Sequence, residues 1–448
     1  MRKYTIFAVL LTIPGIASAA ELSVQEALLR AKPAVALVMA EVASEVTLAC
    51  PTSGAQRVAP TPFRETGTGW FISPSGWVIT NAHIVSTTHQ PPQWIADQQI
   101  ERAARQACGD LGRQALAAIV ARATVKLEPS LYVLLSNGVR LPATVVKYNP
   151  PAAVATMSGR DLALLKLKAS DMPTLVLGDS SNAKLGDRLH ILGFPGVVLS
   201  HELLNASAKV EASVTNGAIS GFKQDIANHP VIQTDAPAAG GNSGGPAVGM
   251  RGEVLGVLTF VTTESGGRGE IVQGFNFVIP SSAVRDFIEG TAVSLGETSR
   301  FNAAWHAGLA NYFAGNYSRA EKNFVEANRL LPELPDVRRL IAEAKNPPPR
   351  PFPWATIALV VTVASVGAVG VVLVTRWRRN RYRIGPSEVL RLIETSREKP
   401  IILDVRDTAT YVRSPVKIPE SRHVSADGLD AGKPLEIERD RTVVAYCT

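Results

Sequence analysis

Ser243 lies in a stretch whose residue types suit nucleophilic catalysis. Four glycines flank it, at positions 240, 241, 244 and 245, and Pro246 follows. A serine hydroxyl becomes a good nucleophile when a base removes its proton and backbone N–H groups stabilise the oxyanion that forms. Glycines permit the backbone conformations in which such N–H groups converge. The alternative is a solvated serine in a glycine-rich turn, and a suitable histidine and aspartate would decide between the two.

His83 and Asp161 are the residues that could activate Ser243. His83 follows two predicted strands joined by a Pro-Ser-Gly turn, and rigid scaffolds present catalytic groups at strand ends. Asp161 directly precedes the apolar run LALLKL, so its carboxylate can be buried and can orient an imidazole. Taken singly, these would be an ordinary turn histidine and a solvated aspartate. Together, in the order His, Asp, Ser, the three residues predict a catalytic triad.

The segments around these residues resemble trypsin-like serine proteases of the HtrA type. They read GTGWFISPSGWVITNAHIV, GRDLALLKL and GGNSGGP, and the resemblance covers roughly residues 33–289. It implies an all-β, chymotrypsin-like fold of two six-stranded antiparallel barrels with the triad in the cleft between them. It also implies that His83 is the general base, that Asp161 orients it, and that the N–H groups of Gly241 and Ser243 form the oxyanion hole.

The substrate pocket is predicted from the resemblance as well. Six positions before the serine, where a carboxylate would attract arginine or lysine, the chain has a proline. We therefore expect a preference for small or medium aliphatic side chains at P1, the residue whose carbonyl is attacked. The residues expected to line this pocket are Pro237, Ala238, Val257, Leu258 and Thr259. This chemistry needs no metal ion and no organic cofactor.

Length and charge set bounds on the rest of the chain. Its 448 residues exceed what one hydrophobic core usually holds and predict two to four domains. The formal net charge of +7 could indicate an anionic partner, but an arginine cluster at positions 376–383 contributes much of it. The membrane helix predicted below accounts for that cluster. Elsewhere in the sequence, no stripe of basic residues alternates with aromatic ones. We therefore expect no nucleic-acid binding.

Two apolar segments predict export and membrane anchoring. Residues 1–20 have the basic start, the apolar run and the Ala-Ser-Ala site of a signal peptide. A proline-rich linker, residues 346–353, leads to a transmembrane helix at residues 354–376, which is long enough to cross a bilayer. The arginine cluster follows directly. By the positive-inside rule, we expect one crossing of a bacterial cytoplasmic membrane, with the protease periplasmic and the C-terminus cytoplasmic.

The protease domain is predicted over residues 21–295, with a helical insertion at residues 87–124. The sequence leaves two roles open for this insertion, a surface elaboration without a function of its own and a gate that controls access of the substrate. Cys50 and Cys108 both fall in the exported part, where an oxidising compartment would permit a disulfide. Because sequence does not fix the distance between them, a disulfide and two free thiols are both open.

The pattern of residues 299–345 is similar to one tetratricopeptide repeat, a helical hairpin with small residues at the helix contact and aromatic residues between the helices. No PDZ-like pattern, which many HtrA proteins have at this point, is found. A single repeat cannot bury its own face, so we expect it to pack on the protease or on a partner protein. The sequence leaves two roles open for this hairpin, a spacer and a module that binds peptides.

Residues 384–448 resemble the first part of a rhodanese domain. The matching segments are LDVR, IPESRHV and VVAYC, which end at Cys447, and the resemblance makes this residue the candidate sulfur-carrying cysteine. The chain ends one residue later, so we expect an incomplete α/β module, either truncated or degenerate. We assign it no sulfurtransferase activity.

Together these features predict a single-pass, membrane-anchored serine endopeptidase that acts on misfolded or regulatory envelope proteins, substrates that rest on family analogy. Its expected partners are protein or peptide substrates, the membrane and a protein bound by the helical hairpin. Trimers are common in the family, but no segment specifies a homo-oligomer. One alternative is an inactive envelope sensor that binds partner proteins. Another is a sulfurtransferase, if the gene continues beyond Thr448 with a complete cysteine loop.

Overall fold

A computed structural model describes residues 23–51, 53–150, 161–225, 227–263, 271–347, 354–425 and 434–447. The predicted signal peptide, residues 1–20, lies outside the described residues. The chain divides into two compact units, Met1–Pro348 and Pro349–Thr448. The first unit contains the predicted triad and the second contains the predicted membrane helix.

The first barrel of the first unit closes six antiparallel strands. The strands of this sheet are β1 (Val35–Cys50), β2 (Gly54–Val58), β3 (Phe63–Ser73), β4 (Trp77–Thr80), β5 (Thr124–Leu134), β6 (Arg140–Asn149) and β7 (Leu162–Leu167). The barrel runs in the order β1-β3-β4-β7-β6-β5, and β5 pairs back with β1 to close it. Strand β2 pairs with the second half of β1. Strand β1 is 16 residues long, and its second half packs on the helices of the insertion.

The second barrel also closes six antiparallel strands. They are β8 (Arg188–Gly193), β9 (Ser213–Gln224), β10 (Pro230–Thr234), β11 (Pro246–Val248), β12 (Val254–Thr263) and β13 (Ile271–Pro280), in the order β10-β13-β12-β11-β8-β9. Trp70 and Ile79 of the first barrel share one buried apolar cluster with Leu192 and Val257 of the second. Burial of such large apolar surfaces from water holds the barrels together. The predicted double-barrel, chymotrypsin-like fold is confirmed.

Short helices connect and flank the barrels. They are α1 (Val24–Ala31), α2 (Ala82–His89), α3 (Gln93–Cys108), α4 (Arg113–Val120), α5 (Gly196–Leu199), α6 (Ala206–Lys209) and α7 (Ser281–Ile288), with 3₁₀ turns at Lys32–Ala34 and Ser180–Asn182. Helices α3 and α4 lie within the predicted insertion and share an apolar cluster with β1. A disulfide joins Cys50, at the end of β1, to Cys108, at the end of α3, with their Cα atoms 5.5 Å apart.

Residues 299–345 form three helices, one more than the expected hairpin. They are α8 (Arg300–Phe313), α9 (Tyr317–Leu330) and α10 (Pro335–Lys345), called the helical module below. Gly308 lets α8 and α9 approach, since a Cβ there would lie 2.4 Å from the ring of Phe324. The indole Nε1 of the fully buried Trp305 donates to the carbonyl of Leu29 at 2.8 Å. The helical module therefore packs on α1 of the same unit.

Polar contacts also tie the helical module to the protease part. Lys32, directly after α1, forms ion pairs with Glu211, in the segment between β8 and β9, and with Asp336 of α10 at 2.9 Å. Burial by itself lowers the pKa of Lys32, but these two carboxylates outweigh burial and hold the pKa above its ordinary value. The hydroxyl of Ser299, which caps α8, donates to the carbonyl of Met172 at 2.8 Å.

Trp305→Ala is expected to lower the free energy of unfolding by about 3–5 kcal/mol, because it removes a large buried side chain and its hydrogen bond to Leu29. Phe313→Ala, on the same helix but 37% exposed, is the matched control and should cost under about 1 kcal/mol. Denaturant unfolding of the full chain, followed by circular dichroism, measures both. Equal costs for the two variants would show that the helical module does not depend on this contact.

The second unit combines one long apolar helix with a small parallel sheet. Helix α11 (Trp354–Asn380) has 27 residues and a mean hydropathy of 2.7 over its most apolar window, which is enough by length and composition to cross a membrane. The elements that follow are α12 (Pro386–Thr395), β14 (Ile401–Asp404), α13 (Thr408–Arg413), β15 (Arg422–His423) and β16 (Val443–Tyr446), with strand order β15-β14-β16. Cys447, directly after β16, is a free, exposed thiol.

Candidate active site

Strand pairing brings His83 and Asp161 to one end of the first barrel. Strand β4 pairs antiparallel with β7, with Thr80 opposite Ala163. Because antiparallel neighbours run in opposite directions, the residue that follows β4 and the residue that precedes β7 lie at the same barrel end. His83 is in the first turn of α2, and Asp161 stands directly before β7.

The carboxylate of Asp161 is fully buried and accepts three hydrogen bonds. Its Oδ2 lies 2.6 Å from Nδ1 of His83 and accepts from the hydroxyl of Thr259 at 2.9 Å. Its Oδ1 accepts from the backbone N–H of His83 at 2.9 Å. With Nδ1 bound to the carboxylate, the imidazole has its Nε2 left for proton exchange. The arrangement fixes both the position and the tautomer of the histidine.

Charges around His83 favour its protonated form. Burial by itself lowers the pKa of His83, but the hydrogen bond and the charge of Asp161, together with the charge of Glu65, outweigh burial and raise the pKa above its ordinary value. Burial raises the pKa of Glu65, which lies on β3 within 3.5 Å of the hydroxyl of Thr87 on α2. The histidine thus has two carboxylates near it, of which the sequence indicated one.

Ser243 stands in a turn with N–H groups free for a ligand. The N–H of Asn242 donates to the carbonyl of Ala239 at 3.0 Å, and Gly241 within this turn has a φ of +98°. Among the described residues, the N–H groups of Gly241 and Ser243 donate to no protein group. The hydroxyl of Ser243 contacts the carbonyl of Thr259 at 3.5 Å and forms no hydrogen bond with His83 within the described part of the chain. Catalytic contacts of this kind are often loose before substrate binds.

Thr68 holds this turn against the first barrel. Its N–H donates to the carbonyl of Ser243 at 2.8 Å, and its hydroxyl donates to the carbonyl of Gly241 at 2.7 Å. The same hydroxyl accepts from the N–H of Phe194 at 3.0 Å. Thr68 is fully buried, so these bonds form away from water and position the serine relative to the barrel that carries the histidine.

The five residues expected to line the pocket do not all meet. Ala238 and Leu258 belong to one buried apolar cluster of the second barrel, whereas Val257 belongs to the cluster between the barrels. The hydroxyl of Thr259 bonds Asp161 instead of lining a pocket. The reason is strand alternation, since successive side chains on β12 point to opposite faces. Pro237 is exposed, and its carbonyl accepts from the hydroxyl of Thr215 at 2.7 Å.

Sequence reasoning missed the roles of Thr68, Glu65 and Thr259. Nothing in the local pattern distinguishes these residues from ordinary strand residues, because their partners lie far along the chain. One signal was available for Thr259. Successive side chains of a strand point to opposite faces, so Thr259 and Leu258 could not both face the same pocket. Among the described residues, no group of three His, Cys, Asp or Glu side chains is placed to hold a metal ion.

Two barrels with a serine turn and an Asp–His pair where they meet define the class of chymotrypsin-like proteases. A family model described as a trypsin-like peptidase domain matches residues 67–257. The chain is 29% identical over 227 residues to a probable periplasmic serine endoprotease, DegP-like, from Chlamydia pneumoniae, covering 50% of this chain and 33% of the relative. It is 30% identical over 237 residues to a protein of the same description from Pseudomonas fulva (strain 12-X), covering 52% and 36%.

The solved structure of the HtrA-type protease AlgW with a decapeptide is also similar, at 23% identity and a TM-score of 0.38, covering 60% of this chain and 68% of that one. The family match and the curated relatives support an HtrA-type serine protease, with the match to the trypsin-like peptidase domain at residues 67–257. The chain spans about a third of the length of the curated relatives it matches.

Proposed function

We propose that this chain is a membrane-anchored serine endopeptidase that uses His83, Asp161 and Ser243 as its catalytic triad. The observation that carries the proposal is the buried carboxylate of Asp161, 2.6 Å from Nδ1 of His83. A buried charge of this kind is costly unless it is used or paired, and here it is bonded to an imidazole. The relatives with periplasmic descriptions support a periplasmic location for the protease domain.

In the proposed mechanism, Ser243 Oγ attacks the scissile carbonyl carbon while its proton moves to Nε2 of His83. The N–H groups of Gly241 and Ser243 then donate to the oxyanion. His83 returns the proton to the leaving amine, and a water molecule releases the acyl group by the same steps in reverse. Asp161 stays ionised and stabilises the imidazolium that forms in each half of the reaction.

Substrate preference and topology extend this proposal. We infer a pocket for small or medium aliphatic P1 side chains from the proline, rather than a carboxylate, at position 237 and from the apolar neighbours Ala238 and Leu258. Helix α11 would anchor the chain, with the arginines after Thr375 on the cytoplasmic side. Misfolded or regulatory envelope proteins are the proposed substrates, and the helical module is a proposed site for a protein partner.

Labelling with a fluorophosphonate tests the proposal, because this reagent reacts with a serine only when a base and an oxyanion hole activate it. The full chain in detergent should be labelled at one residue. Ser243→Ala should abolish labelling, and His83→Ala should slow it by several orders of magnitude. Ser181→Ala, an exposed serine that bonds Asp179, is the matched control and should label like wild type.

The alternative function is a sensor, because the missing hydrogen bond between the hydroxyl of Ser243 and His83 within the described residues fits both a protease before substrate binds and a protein that does not cleave. A sensor that binds partners without cleaving them would keep the fold and leave this contact unmade. Folded wild-type chain that stays unlabelled, also after addition of unfolded casein and of candidate peptides, would support the sensor. Labelling at Ser243 would exclude it.

Glu65→Gln is expected to move the acid limb of the kcat/KM profile to lower pH. The base His83 must be unprotonated to accept a proton, so activity is lost as the pH falls through its raised pKa. Removing the charge of Glu65 removes one cause of that increase, and the pKa of His83 therefore falls. Glu41→Gln, a carboxylate paired with Arg64 on the barrel surface, is the control and should leave the limb in place. A limb that stays fixed, or that moves to higher pH, in Glu65→Gln would contradict the assignment.

A further inference from the structure

A groove with a volume of about 770 Å³ lies between the helical module and the first barrel. Three segments form its walls, namely the turn between β5 and β6, helix α6 with the residue after it, and the start of α10 with the turn before it. No triad residue is among its lining residues. Its volume falls in the range of sites that hold ligands, so the groove is a second candidate site of the first unit.

Polar contacts hold the walls of this groove in place. The side-chain Nδ2 of Asn137, in the β5–β6 turn, donates to the carbonyl of Pro332, in the turn before α10, at 2.8 Å. On the other side, Lys32 pairs with Glu211, close to the α6 wall, and with Asp336 of α10. A ligand therefore meets a preformed groove, and its binding requires little ordering of the protein.

The charges that line the groove are mostly positive. Its charged lining residues are Arg140, Arg338, Arg339 and Glu333. Arg338 pairs with Glu333 at 2.8 Å, and Arg339 pairs with two carboxylates of α10, the nearer of which is 2.7 Å away. Arg140 forms no ion pair with any residue that the structure describes. The excess positive charge of the groove is therefore that of Arg140.

Arg140 and Ser136, on the same wall, both have hydrogen-bond donors available for a ligand. The guanidinium of Arg140 lies over the ring of Tyr132, 5.1 Å from its centroid, and this contact supplies no hydrogen-bond acceptor. The hydroxyl of Ser136, which is half-buried, has no hydrogen-bond partner within the described part of the chain. A carboxylate suits both groups, because a guanidinium binds it through two parallel hydrogen bonds and a hydroxyl can donate to it.

Apolar side chains complete the groove. Leu134, which is buried, lies opposite Arg140 in the pairing of β5 with β6. Val210 and Pro335, both half-buried, contribute from the other two walls. A nucleic acid or an anionic membrane is bound by many unpaired cations, whereas the lining that the structure describes has one. Apolar walls with a single unpaired cation fit an acidic segment of a protein chain instead.

We propose that this groove binds an acidic peptide segment of a partner protein. Arg140 and Ser136 hold one carboxylate of the segment, and a neighbouring apolar side chain packs against Leu134. The inference rests on the part of the proposed function that gives the helical module a protein partner, and it names the site and the chemistry of that partner. The bound segment contacts both the helical module and the protease part.

Two pools of fluorescein-labelled octapeptides test this inference on the full chain in detergent, with Ser243→Ala introduced so that no peptide is cleaved. One pool carries Asp, Glu, Leu and Val in random order, and the other carries Asn and Gln in place of the two acids. Measured by fluorescence anisotropy, the acidic pool should bind at least about tenfold more tightly, which is the effect expected of one charged, hydrogen-bonded pair. Arg140→Gln should remove this difference.

Two further variants locate the binding. Ala206→Trp, at an exposed position of the α6 wall, fills the groove without changing a charge and should prevent binding of the acidic pool. Arg329→Gln is the matched control for Arg140→Gln, because Arg329 is an exposed arginine of α9 that does not line the groove. It should bind both pools like the parent chain. A preference for the acidic pool that survives both groove variants would overturn the inference.

Other occupants of the groove give different results. Single-stranded DNA or dihexanoyl-phosphatidylglycerol would displace the acidic pool more effectively than the unlabelled pool does. A second copy of the chain would give a dimer that Ala206→Trp dissociates, which light scattering detects. Either result would overturn the peptide assignment, and so would equal binding of the two pools or binding of neither.

Fluorophosphonate labelling separates this inference from the proposed function, because it reports on the active site of the chain with its native Ser243. Labelled chain whose Ser243→Ala form binds both pools equally would overturn the groove assignment and leave the protease in place. Unlabelled chain whose Ser243→Ala form prefers the acidic pool would contradict the protease and support the groove.

Discussion

Asp161→Asn is expected to lower kcat about 10⁴-fold while the chain stays folded, which is the size of effect that the same change has in other serine proteases. Asparagine has nearly the same shape, but one of its two oxygen atoms becomes an amide donor. That donor would face either Nδ1 of His83 or the N–H of the same residue, both of which now donate to the carboxylate. In the first case the imidazole would adopt the tautomer that cannot accept the proton of Ser243, and in the second the two donors that face each other would push the histidine out of position.

Steady-state hydrolysis of a peptide substrate, together with the rate of fluorophosphonate labelling, measures this loss. Asp179→Asn is the matched control, because that carboxylate is exposed and, as far as the structure describes the chain, bonds only its own turn through Ser181 and Asn182. It should keep kcat within about twofold of wild type. If Asp161→Asn kept more than a tenth of the wild-type kcat with unchanged folding, Asp161 would not be the residue that orients His83.

Gly241→Ala is expected to lower kcat by about 10²–10³-fold, the usual cost of losing one oxyanion-hole donor. Gly241 has a φ of +98°, which residues with a Cβ rarely adopt, and a Cβ there would lie 2.4 Å from the carbonyl oxygen of Phe194. The turn must rotate to relieve this contact, and the N–H of Gly241 then leaves its position beside Ser243. Because the oxyanion exists only in the reaction, kcat should fall while KM changes little.

Gly240→Ala is a matched control one residue away. A Cβ at position 240 meets no atom within 4 Å, so this change should leave kcat close to wild type. The comparison holds residue type and substitution constant and varies only the backbone position. Equal losses in both variants would indicate that the whole turn tolerates no side chain. Equal retention would indicate that Gly241 does not supply an oxyanion donor.

The parts of the site that could be predicted from the sequence are those set by local chain geometry. His83 follows a strand, Asp161 precedes one and Ser243 stands among glycines, and each of these contexts is visible within about ten residues. The double barrel followed from the resemblance that the same segments carry. The same resemblance implies the pairing of β4 with β7, because that pairing is part of the double-barrel fold. This pairing brings the histidine and the aspartate together.

The parts that could not be predicted depend on contacts between distant segments. Thr68 looks like any strand threonine until the second barrel brings Gly241 and Phe194 against it. The resemblance predicts Thr259 in the substrate pocket, yet its hydroxyl donates to the carboxylate of Asp161 from the other barrel. A strand register that is one residue off changes which side chains share a face, and sequence does not fix that register. Cys50 and Cys108 are 58 positions apart, and only the packing of α3 on β1 decides that they meet.

The contacts of the helical module determine which part of this chain is the smallest unit that can fold by itself. Trp305 fills a space whose other wall is α1, at the opposite end of the same unit, and Lys32 joins α1 to α10. A cut at position 295, where the sequence placed the domain boundary, would expose that apolar wall and leave Lys32 with one partner fewer. The autonomous folding unit therefore runs from α1 through α10. N- and C-terminal segments that lie hundreds of residues apart must both be synthesised before the protease part is complete.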